Sequence, residues 1–271
     1  PEFVLCVGDL TYGNSVGQQG VDQHFNDVMK WSLDAAYMPA WGNHEWDEPE
    51  DDDLRNYKGR FDLPNPQSSP AAPGHPHTGG GEDWYWFDYG NARFIAYPEP
   101  FPGAIADWLG RAQAIMDSAQ ADPVIRHIVT FGHRPAYSSG HHGGDAVLKD
   151  ALDQLGASHS KYVLNLNGHS HNYERSFPQS GVVHLTVGTG GSPLETDPNG
   201  DCNWAGGCPP PSWSAFRTYH RGPLRLRFTA GGIEGALLCG PAGPATGPGA
   251  DDLTCALSTV VDSFVIGTPT P

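Results

Sequence analysis

Four short apolar runs in this chain each stop at a glycine-containing cluster of potential metal ligands, and that recurrence restricts the fold more than any other feature. "FVLCV" (residues 3–7) leads into "GDLTY", and "AAYMPAW" (35–41) into "GNHEWD". "IRHIVTF" (125–131) leads into "GHRPAY", and "KYVLNL" (161–166) into "NGHSHNYER". Runs of this length and composition read as buried strands. Between them, apolar residues recur at three- and four-residue spacing near 21–35, 105–119 and 145–155, which predicts helices. Strand alternating with helix implies a largely parallel sheet, and the carboxyl ends of such strands are where ligands gather. Clusters far apart in sequence are therefore expected to converge at one sheet end. Their glycines let the chain turn sharply and bring ligands close to the sheet edge.

The second half is β-rich. "DWYWFDYGNARFIAYP" predicts a hairpin turning at Gly90 and Asn91, and "VVHLTV", "LRLRF", "IEGALL" and "DSFVIG" are further strand candidates separated by Gly and Pro. At 271 residues one domain is expected, spanning 1–267, with 268–271 a tail or linker stub. Residues 62–81 are poor in apolar side chains and rich in Pro and Gly, which predicts a flexible surface loop; His75 and His77 fall there and read as solvated.

Against 15 Lys and Arg stand 31 Asp and Glu, a formal charge of −16 that repels polyanions. Nucleic acid and anionic membranes are thus poor partners, and any phosphate site must be local. No apolar run approaches the roughly 20 residues needed to span a bilayer. The chain starts at Pro1 with no leader pattern, as a processed or truncated chain would. Cys202 with Cys208, and Cys239 with Cys255, flank Gly-rich segments and suit two local disulfides, while an all-cysteine zinc site needs tighter spacings. An oxidising location follows, extracellular or periplasmic. Cys6, inside an apolar run, reads as a small buried hydrophobe.

In order and spacing, "GDLTY" (8–12), "GNHE" (42–45), His133 of "VTFGHRPAY" and "GHSH" (168–171) resemble four consecutive motifs of the purple acid phosphatases, a branch of the calcineurin-like metallophosphoesterases. The resemblance runs from about Val4 through "VGTGG" to "DSFVIG". It implies an α/β fold, a four-layer αββα sandwich of two mixed β-sheets flanked by helices. It also implies two metal ions bridged by Asp9, with Tyr12 and His171 on the first and Asn43, His133 and His169 on the second. Donor chemistry agrees independently: a phenolate suits Fe(III), while imidazole and amide oxygen suit divalent Zn, Mn or Fe. Residues two apart on an extended segment point the same way, so His169 and His171 can serve adjacent ions.

The activity implied is that of a secreted phosphatase hydrolysing small phosphomonoesters by attack of a metal-bound hydroxide. His44 is implied as a phosphate contact and general acid, with His142, or else its neighbour His141, as a further substrate-facing histidine. Two alternatives keep the scaffold: a phosphodiesterase or nucleotidase using the same site, and a non-catalytic binding or assembly protein. The family pattern also places an Asp-x-Gly strand before "GDxxY", supplying one carboxylate to the Fe(III) site; none precedes Gly8 here, so the resemblance implies one of three things: an N-terminal segment outside this sequence, a separate chain carrying it, or loss of the first metal and with it activity. An N-terminal segment or a partner chain is expected to cover that sheet edge.

Other polar residues read as structural. Glu45 is expected to fix the loop after His44, and Arg175 to act structurally rather than on phosphate. His24, His127, His159, His184 and His220 are expected to be satisfied core or surface histidines, Trp84, Tyr85 and Trp86 to be sheet packing, and the acidic run 47–53 to be a solvated turn.

Overall fold

The computed structural model describes residues 1–46, 57–72, 80–195, 204, 208–229, 231–241, 245–246 and 255–267. In chain order the first elements are β1 (Phe3–Val7), α1 (Gly13–Trp31), β2 (Ala36–Ala40), the single turn α2 (Asn43–Trp46), β3 (Trp86–Tyr89) and β4 (Ala92–Ala96). Next come α3 (Ala104–Ala121), β5 (His127–Phe131), α4 (Ala146–Ser158), β6 (Tyr162–Asn167), β7 (Tyr173–Ser176) and β8 (Val183–Val187). Then follow β9 (Leu194–Glu195), β10 (Ser214–Thr218), β11 (Leu224–Thr229), β12 (Gly232–Leu238), β13 (Ala245–Thr246) and β14 (Val260–Gly267).

The apolar runs form the expected strands, and the expected hairpin turns at Gly90 and Asn91 with Phe87 opposite Phe94. Helix α1 departs most from its expected span. It is kinked at Gly17 (φ 69°, ψ −176°) and ends at Trp31, after which Ser32 turns the chain toward β2.

A seven-stranded sheet in the order β10-β7-β8-β6-β5-β4-β3 is the centre of the molecule. Its middle strands β4, β5, β6 and β8 run parallel, whereas β3, β7 and β10 pair antiparallel at the flanks, so the sheet is mixed. Strand β4 sorts its side chains between layers. Arg93 donates to Ile115 O and Ser118 Oγ of α3, while Phe94, one residue on, meets the rings of Phe3 in β1 and Phe228 in β11. This two-residue alternation puts helices α3 and α4 on one face and a second β layer on the other. That second layer is in two pieces, the parallel pair β1-β2 and the antiparallel sheet β11-β12-β14. Among the described residues β1 has no strand on its other edge. Helix α1 covers β2 from outside through contacts of His24 and Trp31 with Tyr37, completing the αββα order.

Strand β6 is buried throughout yet carries two asparagines. They are satisfied by a ladder across the sheet: Asn165 donates to Thr130 Oγ1, Asn167 donates to Asn165 Oδ1, and Thr186 donates to Asn167 Oδ1. Buried polar groups paired in this way fix the register of neighbouring strands directly beneath the ligand-bearing loops.

The described part of the segment expected to be an unpacked loop packs against the body. Leu63, Ser69 and Ala72 are buried, Gln67 exchanges backbone hydrogen bonds with Asp83 and Trp84, and Ser69 N donates to the Asp83 carboxylate. Backbone and side-chain partners there replace the apolar content that the segment lacks. His75, His77, the acidic run 47–53 and the tail 268–271 lie outside the described residues. Cys239 and Cys255 are disulfide-bonded as expected; Cys202 lies outside the described residues, and Cys6 is free and packs against the core. No described helix is long and apolar enough to cross a membrane.

Candidate metal centre

The loops after β1, β2, β5 and β6 meet. Gly8 leaves β1 at φ 88°, and Asp9 follows at φ 53°. A Cβ on Gly8 would sit 2.5 Å from His133 Nδ1, and one on Gly42 would sit 2.3 Å from Asp9 Oδ1. Sharp turning accounts for Gly8. At Gly42 the reason is room, because the loops touch where a side chain would stand.

His133 is held by its far nitrogen. Its Nδ1 lies 2.8 Å from the carbonyl oxygen of Val7 and must donate to it, which turns Nε2 toward the other loops. Around Nε2 lie Asp9 Oδ2, Asn43 Oδ1 and His169 Nδ1, each at 3.1 Å. Ligand atoms on one ion at 2.0–2.1 Å stand about 3.3 Å apart in a tetrahedron and about 3.0 Å apart in an octahedron. The observed spacing therefore fits a small divalent cation. Beside this group, Tyr12 Oη lies 2.9 Å from His171 Nε2, and His171 Nδ1 donates to Pro193 O at 2.9 Å. The His133 and His171 rings thus each present Nε2 inward and anchor Nδ1 on a backbone carbonyl, the usual support for ligating histidines.

Asp9, Tyr12 and His169 all have left-handed backbone, with φ of 53°, 53° and 65°. Such conformations in residues other than glycine cost on the order of 1 kcal/mol each and concentrate at functional sites.

Charge at the centre is balanced between Asp9 and His133. Burial would raise the Asp9 carboxyl, but the adjacent His133 outweighs it and holds the group at about 2. Burial would likewise lower His133, and Asp9 raises it to about 9. His169 is pushed down to about 2, by burial first and then by His133, His142 and Arg134, so it is a neutral donor. Burial raises the Tyr12 phenol, and nearby carboxylates add to this, so a phenolate there requires a cation beside it. Arg134 Nη1 lies 3.2 Å from His169 Nε2 and can only donate. His169 Nε2 therefore accepts and Nδ1 carries the ring proton; an ion on Nδ1 would need that proton moved to Nε2 and Arg134 given over to Glu99, which already accepts from its Nε at 2.7 Å.

The calcineurin-like phosphoesterase family model matches residues 1–173. The chain belongs to the calcineurin-like phosphoesterase family. Human acid phosphatase type 7 is 26% identical over 266 residues, covering 85% of this chain and 56% of that protein. "Probable inactive purple acid phosphatase 27" of Arabidopsis thaliana is 26% identical over 257 residues, covering 83% of this chain and 39% of that protein. The purple acid phosphatase PPD1 of yellow lupin seeds superposes with a TM-score of 0.67 at 22% identity, over 98% of this chain and 46% of that one. This phosphoesterase chain thus spans about half the length, or less, of the relatives it matches.

Further residues surround the candidate centre. The His44 backbone N–H donates to Asp9 Oδ1 at 3.2 Å, and its ring lies 4.2 Å from that of Tyr12. His142 stacks on His169 with centroids 4.2 Å apart, and His141 stands behind His142. All nine residues singled out by sequence thus gather where the loops after β1 and β2 of one sheet meet those after β5 and β6 of another, across two packed layers rather than at the end of a single sheet. Sequence reasoning missed Arg134, Glu99 and Glu195. Arg134 directly follows His133, a signal that was present, whereas Glu195 arrives on the two-residue strand β9 with no motif to mark it.

The remaining polar residues behave structurally. Arg175 pairs with Asp262 at 2.8 and 3.0 Å and covers Phe264. Trp84 and Tyr85 are buried, and Trp86 lies under Arg93. His24 contacts Tyr37 Oη, His159 pairs with Asp117, and His220 Nδ1 lies 3.2 Å from Cys255 Sγ. His127 corrects the expectation of a satisfied histidine: it is buried on β5 with no described partner for either nitrogen, and burial lowers its pKa.

Proposed function

We propose that this chain carries a binuclear metal-dependent phosphatase centre that hydrolyses phosphomonoesters. The observation that supports this most is the gathering of Asp9, Asn43 and His169 donor atoms at 3.1 Å from His133 Nε2, with Tyr12 and His171 paired alongside. Asp9 is assigned to both ions, Tyr12 and His171 to an Fe(III), and Asn43, His133 and His169 to a divalent Zn, Mn or Fe. The ions, when bound, supply water activation and positive charge toward the phosphoryl oxygens.

The chain's own residues do the rest. His44, whose ring lies against Tyr12, gives a proton to the leaving alkoxide. His142, stacked on His169, with His141 behind it, contacts the phosphoryl group from the opposite loop. Bound ions would make the centre locally cationic against the formal −16 of the whole chain, as a dianionic substrate requires. The Cys239–Cys255 disulfide supports secretion. The free edge of β1 is where a further strand, from an N-terminal segment or a partner chain, would pair.

The test is an assay of metal-loaded protein on aryl phosphate monoesters and diesters side by side. Faster monoester turnover, lost in His169→Ala, supports the proposal, and preference for the diester moves the reading to a phosphodiesterase. A non-catalytic binding role gains from the name of the Arabidopsis relative. Tight ion binding without turnover of either ester would favour it.

A further inference from the structure

We propose that His141, His142 and Glu195 form a separate binding site for a divalent cation of the Zn2+ type, beside the candidate binuclear centre. One ligand atom from each of the three lies within 4.8 Å of the other two. His142 Nε2 stands 3.6 Å from Glu195 Oε2, beyond hydrogen-bond reach but close to the roughly 3.3 Å edge of a tetrahedron around zinc. The adjacent His141 and His142 rings are 4.5 Å apart at 63°, so the two imidazoles are not parallel to one another.

Glu195 is the unusual member. Its Oε2 is shielded from solvent and has no hydrogen-bond partner among the described residues. Its Oε1 lies 3.5 Å from His171 Nδ1, whose proton is already given to Pro193 O. The described contact of this shielded oxygen is His142 Nε2 at 3.6 Å, a weaker partner than a cation held between the two would be. Two imidazoles and a carboxylate are a common three-ligand zinc set, and a fourth position stays open because both histidines are partly exposed. The competing explanation is a plain charge contact between His142 and Glu195, which needs no ion.

The site is next to the candidate centre yet separable from it. His142 stacks on His169, but the two ligand groups share no residue. An ion here would present positive charge to the substrate side of the β5–α4 loop in place of a histidine proton.

The experiment strips the protein with chelator, adds Zn2+ alone, removes excess by gel filtration and counts retained zinc per chain by elemental analysis. Wild type is compared with Glu195→Gln, His141→Ala, His169→Ala and the double variant His169→Ala/Glu195→Gln. Far-UV circular dichroism in chelator confirms that each is folded, and His141→Ala, at a partly exposed position, serves if Glu195→Gln is not. The expected result is one zinc fewer in Glu195→Gln and in His141→Ala than in wild type, and one fewer again in the double variant than in His169→Ala. Equal zinc in wild type, Glu195→Gln and His141→Ala would overturn the site and leave the charge contact. Failure of the binuclear centre reads separately, as equal zinc in wild type and His169→Ala.

Discussion

Glu45 Oε2 accepts the backbone N–H of Asp9 at 2.9 Å, and this carboxylate ties the turn after β1 to the turn after β2. The same oxygen accepts from Gly42 N at 2.7 Å, and Oε1 accepts from Leu10 N at 2.8 Å. Burial and the nearby Asp9 push Glu45 up to about 8, against the pull of these N–H donors. Glu45→Ala strands three buried or partly buried donors, each costing about 1–3 kcal/mol. A loss of roughly 3 kcal/mol or more in urea unfolding is expected, together with weaker zinc retention, although Glu45 is not assigned as a ligand. Unchanged zinc retention would show that Glu45 does not position Asp9.

Gly42→Ala tests the close approach of two loops. The new Cβ would meet Asp9 Oδ1 at 2.3 Å and Asp9 N at 2.6 Å, both fixed by Glu45 or the ligand group. Metal affinity is expected to fall at least tenfold in calorimetric titration, with the far-UV spectrum retained. Full affinity would mean that the turn yields freely.

His44→Ala separates chemistry from metal holding. The ring lies tilted against Tyr12 but stands outside the ligand group around His133. Retained metal content with a hundredfold or greater loss of kcat is the expected result, in line with typical general-acid contributions. Retained turnover removes the assigned role.

Acid stability should depend on His184. Burial, more than any neighbouring charge, lowers this histidine from 6.5 to about 3, and only its Nδ1 has a described partner, Asn165 Oδ1 at 3.3 Å. Because the folded value lies below the unfolded one, the unfolded chain takes the proton first as pH falls. Stability from this group is therefore complete above about 6.5 and declines from there toward about 3. At pH 5 the loss is on the order of 2 kcal/mol. Urea unfolding at pH 7 and pH 5 should show that loss in wild type and a smaller one in His184→Gln; equal losses would contradict it.

Much of the candidate site was legible because its ligands sit one or two residues past apolar runs, where strand ends must be. The convergence of Asp9, Asn43, His133 and His169 follows from that placement. Other features lacked a local signal. Glu195 depends on where β9 lies after a Gly-rich stretch, and Glu45 bridges two loops that no periodicity relates. The left-handed backbone of Asp9, Tyr12 and His169 is imposed by tertiary contacts, since none of the three is glycine. The division of the second β layer into two pieces and the packing of residues 61–72 likewise arise from long-range pairing, which strand propensity does not encode.

Crystals of the metal-loaded protein, with anomalous diffraction measured at the iron and zinc edges, test the central assignment most directly. Two peaks are expected. One should lie within coordination distance of Asp9, Asn43, His133 and His169, and a neighbouring one should touch Asp9, Tyr12 and His171. Loaded crystals with no peak at Asp9, or with ions only on surface carboxylates elsewhere, would contradict it.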